Sequence, residues 1–244
     1  MCPKYKRNDR SRLILFVLFP LFILTLFSFI FFKNEKTKEH HNEIKTPDEA
    51  IADLKNGNLR FLESKSVHLN YAYEIDLTKK EQHPHTLILT CIDSRVPPEI
   101  IFDQGIGNVF VARVAGNIED DDILGSIEFA TKIKHAKLVV VLGHNHCGAV
   151  KGAIENAHLE HLTQLVNQIK PAIVPCKTNS LSDKNMDNTS KQNIKMTIED
   201  ILHKSATLRL EVQNKEIKII GAYYDVTNGK VAFLENNYKY NPIK

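Results

Sequence analysis

The sequence predicts an α/β fold: a mostly parallel β-sheet flanked by helices, preceded by an N-terminal transmembrane helix. Three observations predict it. Apolar runs at 85–90 (HTLILT), 136–144 (AKLVVVLGH) and 216–225 (EIKIIGAYYD) are nearly continuous, as strands buried on both faces are. Stretches with helical spacing alternate with those runs, which is the pattern of a parallel sheet. Leu13 to Phe32 carries no charge and is long enough to cross a hydrocarbon core of about 30 Å.

The chain divides into a basic segment and apolar span (1–32), a polar tether (33–45) and a domain (46–244). Lys4, Lys6, Arg7, Arg10 and Arg12 precede the span, whereas Lys33, Lys36 and Lys38 follow it mixed with Glu35 and Glu39. That balance keeps the N-terminus in the cytoplasm and puts the domain across the membrane, in a bacterium on the periplasmic side. A cleaved signal peptide is the competing reading. Its apolar region usually runs about 7–15 residues before a small-x-small site, and SFIFFKNEK offers no such site. The 244 residues, 43% hydrophobic and 25% charged, suffice for one well-cored domain. A net charge of +3, without a basic stripe interleaved with aromatics, gives no nucleic-acid-binding pattern.

Thr46, Pro47 and Glu49 open the first helix with a capping box and a proline at its first position. The NGN at 56–58 marks a break in it. Strands follow at 85–90 and 108–114. Between the second and third strands, Ile123, Leu124, Ile127, Phe129, Ala130 and Ile133 give residues 121–136 a helical face. Residues 175–192 are polar and read as an exposed loop, followed by a helix from about Ile194 to Leu210. After the last long strand, the turn signal TNG and GKVAFLE (229–235) predict an added antiparallel strand.

The first strand runs into Cys91-Ile92-Asp93-Ser94-Arg95 and the third into His144-Asn145-His146-Cys147. In open α/β sheets ligands bind beyond the carboxyl ends of the strands, so both clusters are expected in one crevice. Cys91, His144 and Cys147 then offer two thiolates and an imidazole. That set suits zinc and leaves its fourth position for water or substrate. Zinc lowers the pKa of a bound water from 15.7 to about 7, making hydroxide available near neutral pH. Asp93 can orient that hydroxide, or bind zinc as a fourth ligand and close the site. Arg95 can hold the carboxylate off the metal in a bidentate pair. Taken singly, Cys91 reads as a buried structural cysteine and the Asp93–Arg95 charges as a surface pair. It is their combination that specifies a site.

These motifs, C-x-D-x-R and H-x-x-C, resemble those of the β-class carbonic anhydrases. The similarity continues through SRVPPEIIFDQGIGNVFVARVAGN (94–117), GHNHCGAVKGAI (143–154) and GAYYDVTNGKV (221–231), over roughly residues 46–235. It implies a four-stranded parallel core with an added strand, a homodimer or homotetramer, zinc as cofactor, and carbon dioxide and bicarbonate as substrates. It assigns Cys91, His144 and Cys147 to the metal and Asp93 and Arg95 to catalysis. Gln104 matches a position near the substrate, usually contributed across the dimer, and Gly148 brings backbone close to the metal. Relatives of this fold also hydrolyse carbon disulfide or carbonyl sulfide, and a catalytically closed zinc protein tethered to the inner membrane is a further alternative. The chain departs from many relatives at Asn108, where they carry aspartate, and has no tryptophan for the pocket of bicarbonate-regulated members. His83 and His146 are candidate proton carriers, and Cys176 reads as a free thiol.

Overall fold

The computed structural model describes residues 44–68, 70–174 and 182–234. The expected span at 13–32, most of the tether, Cys2 and Cys176 lie outside the described residues. Among those described, no helix is long and apolar enough to cross a membrane.

Helix α1 (Pro47–Leu62) starts at the predicted capping box: Thr46 Oγ accepts from the Glu49 amide at 3.2 Å and Glu49 accepts from the Thr46 amide at 3.0 Å. The expected break at 56–58 is absent, and the reason is tertiary packing. A Cβ on Gly57 would stand 1.8 Å from the Phe102 carbonyl oxygen, so the glycine is there for close approach. Asn58 is buried and donates to the carbonyls of Ile101 (3.1 Å) and Gly229 (3.0 Å). A short helix α2 (Tyr71–Thr78) then leads to the sheet.

The strands are β1 (Thr86–Thr90), β2 (Val109–Arg113), β3 (Leu138–His144), β4 (Lys218–Tyr224) and β5 (Val231–Phe233), in the order β2-β1-β3-β4-β5. The first four are parallel and β5 pairs antiparallel with β4, as expected. Thr90 aligns with Leu142, so the ends of β1 and β3 open on one edge.

Both faces are covered. Helix α3 (Pro98–Ile101) and α1 pack on Ile88, Val140, Leu142 and Ala222. On the other face lie α4 (Asp121–Glu128), α7 (Asp183–Lys204) and α8 (Ala206–Gln213), over Leu87, Leu89, Val139, Val141 and Ile219. Between them in the chain come α5 (Gly148–Ile154) and α6 (Glu160–Ile169), which bury Val150, Ala153, Val166 and Ile169 beside Cys91 and Cys147.

Three further expectations change. The 121–136 helix ends in a π turn, Phe129–Ile133, which leaves Phe129 and Ile133 exposed while Leu124, Ile127 and Ala130 face the core. The polar stretch to residue 192 is no loop from Ser182 on: α7 begins at Asp183, eleven residues before the expected start, with Ser182 as its N-cap. It hid because it buries Asn185, Thr189, Ser190 and Asn193, an inward face without an apolar period. The single helix expected to reach Leu210 is broken at Ser205, which caps α8 in turn.

Candidate metal centre

Three neighbouring backbone positions deliver the centre. Cys91 is the first residue beyond β1, His144 is the last of β3, and Cys147 is the N-cap of α5. All three are buried, and one ligand atom from each lies within 4.8 Å of the others. The two sulfurs are 4.0 Å apart, far beyond a disulfide bond, and both thiols are free. Tetrahedral zinc at about 2.3 Å from each sulfur would separate them by about 3.8 Å.

The imidazole is prepared for a metal. His144 Nδ1 lies 2.7 Å from the carbonyl of Asn145, an acceptor only, so Nδ1 carries the proton and donates it there. The lone pair is thereby left on Nε2, which is buried with no hydrogen-bond partner. A buried acceptor without a partner is costly, and a cation beside it removes the cost.

The thiols make the same demand. The Cys91 thiol is pulled down to about 4, chiefly by the hydrogen bond from Cys147; burial opposes this, and the amides of Gly116 and Asp93 assist. The shared hydrogen bond and burial push Cys147 up, although the amides of Val150 and Ala149 favour its thiolate. One proton is shared, and a second buried negative charge needs a nearby cation. Two thiolates and a lone pair in a buried pocket fit zinc.

Beside this set stands the dyad. Arg95 grips Asp93 through Nε to Oδ1 (3.0 Å) and Nη2 to Oδ2 (2.8 Å), and its backbone amide adds a bond to Oδ1 (2.9 Å). These bonds, led by the Arg95 side chain, hold the Asp93 carboxyl down to about 2 although burial opposes them. Asp93 Oδ2 reaches to 3.9 Å from His144 Nε2. The carboxylate thus borders the ligand cluster, clamped on its far side.

The structure gathers six of the seven expected site residues at this point, Gly148 among them as the residue that follows Cys147. Gln104 lies at the other end of β1: its amide bonds Asp53 (2.8 Å), the Phe102 carbonyl (3.0 Å) and His85 (3.1 Å). His85 precedes β1 and Cys91 follows it, a separation of about 20 Å at roughly 3.3 Å per residue. Within one chain Gln104 is therefore remote from the cluster. Gly148 begins α5, and a Cβ there would meet no atom from beyond its own turn of helix within 4 Å. His146 sits between two of the ligands, half-exposed, its Nδ1 3.7 Å from Asp183; His83 is exposed.

Sequence reasoning missed the backbone supports. Arg113 donates to the carbonyls of Cys91 (3.1 Å) and Asp93 (2.6 Å), pinning the segment that carries ligand and carboxylate. The Gly116 amide donates to Cys91 Sγ at 3.4 Å. Gly116 has φ +77° and stands so near Ile169 that a Cβ would come within 2.5 Å of its Cδ1. Arg113 and Gly116 belong to a stretch whose similarity was noted, but hydrogen bonds to carbonyls leave no mark on a sequence.

An open α/β sheet with two cysteines and a histidine at its carboxyl edge defines a metalloenzyme of the zinc type. The comparisons specify it. The family model described as carbonic anhydrase matches residues 86–231. Carbonic anhydrase 2 of Mycobacterium tuberculosis is 31% identical over 196 residues, covering 78% of this chain and 94% of the relative. A carbonic anhydrase of Mycolicibacterium smegmatis is 33% identical over 192 residues, covering 76% and 92%. Among solved structures, the β-carbonic anhydrase CafA of Aspergillus fumigatus superposes with a TM-score of 0.60 at 25% identity, over 77% of this chain and 90% of that one. The chain belongs to the carbonic anhydrase family, in its β class. It is an enzyme of that family, its cofactor is zinc, and carbon dioxide and bicarbonate are the substrates that fit the family.

Proposed function

We propose that the chain catalyses reversible hydration of carbon dioxide to bicarbonate and a proton, with zinc held by Cys91, His144 and Cys147 and with Asp93 and Arg95 as catalytic residues. The observation that carries this reading is the partnerless, buried His144 Nε2 beside two thiols 4.0 Å apart. Zinc there supplies Lewis acidity, making a water nucleophilic near neutral pH. Asp93, 3.9 Å from His144 Nε2, is placed so that with zinc bound it would accept a hydrogen bond from the attacking water and orient it toward the substrate. Arg95 keeps both carboxylate oxygens occupied and so opposes closure of the site by Asp93.

Gln104 is read as a substrate contact supplied to another copy, and Gly148 as backbone close to the substrate. The position of Gln104 at the far sheet edge supports a homodimer or homotetramer. So do the exposed apolar side chains of the short α2, Tyr71, Tyr73, Ile75 and Leu77, each about half accessible. β-Carbonic anhydrases of Sordaria macrospora are tetrameric. The uncharged run from Leu13 to Phe32 supports a single-pass anchor with the domain on the periplasmic side of the inner membrane, or a cleaved signal peptide.

Stopped-flow hydration of carbon dioxide by the zinc-loaded protein, from about pH 6.5 to 9, tests the reading against the acidity zinc confers on water. Turnover rising with pH is expected. Negligible carbon dioxide hydration with one zinc per chain would refute it, and carbon disulfide and carbonyl sulfide would be assayed alongside.

A further inference from the structure

Helix α7 carries a polar stripe on its buried side: Asn185, Thr189, Ser190, Asn193 and Thr197. Burying such groups is unfavourable unless they find partners, and the partners of two of them are informative. Asn193 Nδ2 donates to the Gly116 carbonyl at 2.7 Å, and the Gly116 amide in turn donates to Cys91 Sγ. Ser190 Oγ donates to the carbonyl of His144 at 3.0 Å. Both side chains are 3% exposed.

The two contacts fall on the two strand ends that deliver ligands. Cys91 follows β1 and His144 closes β3, and α7 reaches the support of each from residues three apart on one helical face. The helix can approach because residue 143 is glycine: a Cβ there would stand 2.7 Å from Ile194 Cδ1.

We propose that Asn193 and Ser190 are positioning residues of the metal centre. Asn193 holds the Gly116–Asn117 peptide, which joins at the Gly116 Cα the Ala115–Gly116 peptide whose N–H rests on the Cys91 sulfur, and Ser190 fixes the backbone of His144, so α7 holds the ligands at coordinating distance. The hydrogen bond on Cys91 draws charge from the sulfur and tunes its donation to the metal, as outer partners do in metal sites. This rests on the reading of Cys91, His144 and Cys147 as the zinc ligands.

The test compares the full chain with Asn193→Ala, Ser190→Ala and Thr197→Ala, the last removing a buried hydroxyl from the same stripe as a control for packing. Zinc affinity is measured by chelator competition, and the sulfur-to-metal charge-transfer band is read after substitution with cobalt(II). Asn193→Ala is expected to weaken zinc binding about tenfold and to shift the band to lower energy, because the sulfur becomes a stronger donor. Ser190→Ala is expected to weaken binding by a smaller factor with little spectral change, and it keeps the test alive if Asn193→Ala does not fold. Thr197→Ala should leave both readouts at parental values. Parental affinity and spectrum in Asn193→Ala, or equal losses in Thr197→Ala, would overturn the inference and leave α7 a packing element. A parent protein lacking the charge-transfer band would overturn the ligand set itself, and the inference with it.

Discussion

The two edges of the sheet both bury titratable groups, yet they treat them differently. At the amino edge, Asp53, Gln104 and His85 interlock, Glu74 accepts from His68 and from the Ile106 amide, and Arg60 pairs with Asp103. At the carboxyl edge, His144 Nε2 has no partner and two thiols share one proton. Satisfied polar groups hold a loop in place; groups left short of a cation mark where an ion and a reaction belong. Burial or charge alone would not have separated the two edges.

The comparison is broken most severely by removing a ligand. Cys147→Ser should abolish zinc retention and carbon dioxide hydration together, with a loss beyond the roughly hundredfold that outer partners cost. Metal analysis beside stopped-flow assays checks it. Retention of full activity would move the centre elsewhere.

Next in size is the dyad. Asp93→Ala should keep zinc while lowering turnover by about a hundredfold, the scale of a positioned proton-handling group. If zinc is lost as well, the carboxylate is holding the metal and the distinction between ligand and orienting group fails.

How much of this could be read beforehand follows from what kind of force shaped each part. Three of the four parallel strands were legible because burial on both faces demands continuous apolar runs such as LVVVLG, whereas β2 is a half-buried edge strand. The ligands and dyad were legible because metal and proton chemistry restrict residue type and spacing. Helix α1 was misjudged at Gly57 because a close approach to the Phe102 carbonyl outweighs the local cost of glycine. Helix α7 was misjudged because its inward face is polar, with Ser190 and Asn193 bonding backbone carbonyls beside the site, and a buried stripe without an apolar period looks like a loop. Gln104 was matched by resemblance, but only the strand direction reveals that it stands at the opposite edge.

A smaller effect is expected from the satisfied edge. Arg60→Ala removes the guanidinium that bonds the nearly buried Asp103 at 2.5 Å and should cost about 2 kcal/mol of stability, below the 3–5 kcal/mol of a fully buried pair because Arg60 is partly exposed. Burial works to raise the Asp103 carboxyl, but Arg60 and the Val67 amide outweigh it and hold it below the usual carboxylate range. A depressed folded value means that this stabilisation is complete above the ordinary carboxylate pKa of about 4 and is lost as pH falls through the folded value. Thermal unfolding should therefore show the parent and Arg60→Ala diverging at neutral pH and converging in acid. Zinc content should be unchanged, since within one chain the pair lies at the edge away from the ligands.

The smallest structural effect sharpens the contrast through two glycines. Gly57 has no room for a Cβ, because the chain's own backbone occupies the space, so Gly57→Ala should destabilise by about 1–3 kcal/mol, as overpacking does. Gly148 has no atom from beyond its own turn of helix within 4 Å of the same position, so Gly148→Ala should leave stability within about 0.5 kcal/mol of the parent. If the space beside Gly148 is where substrate approaches the metal, that silent change in unfolding should appear in the assay as a several-fold fall in kcat/KM at unchanged zinc content. Parental kcat/KM would remove Gly148 from the substrate contacts and leave it only the start of α5. The pair of variants thus separates a glycine required by the fold from one required by what the fold binds.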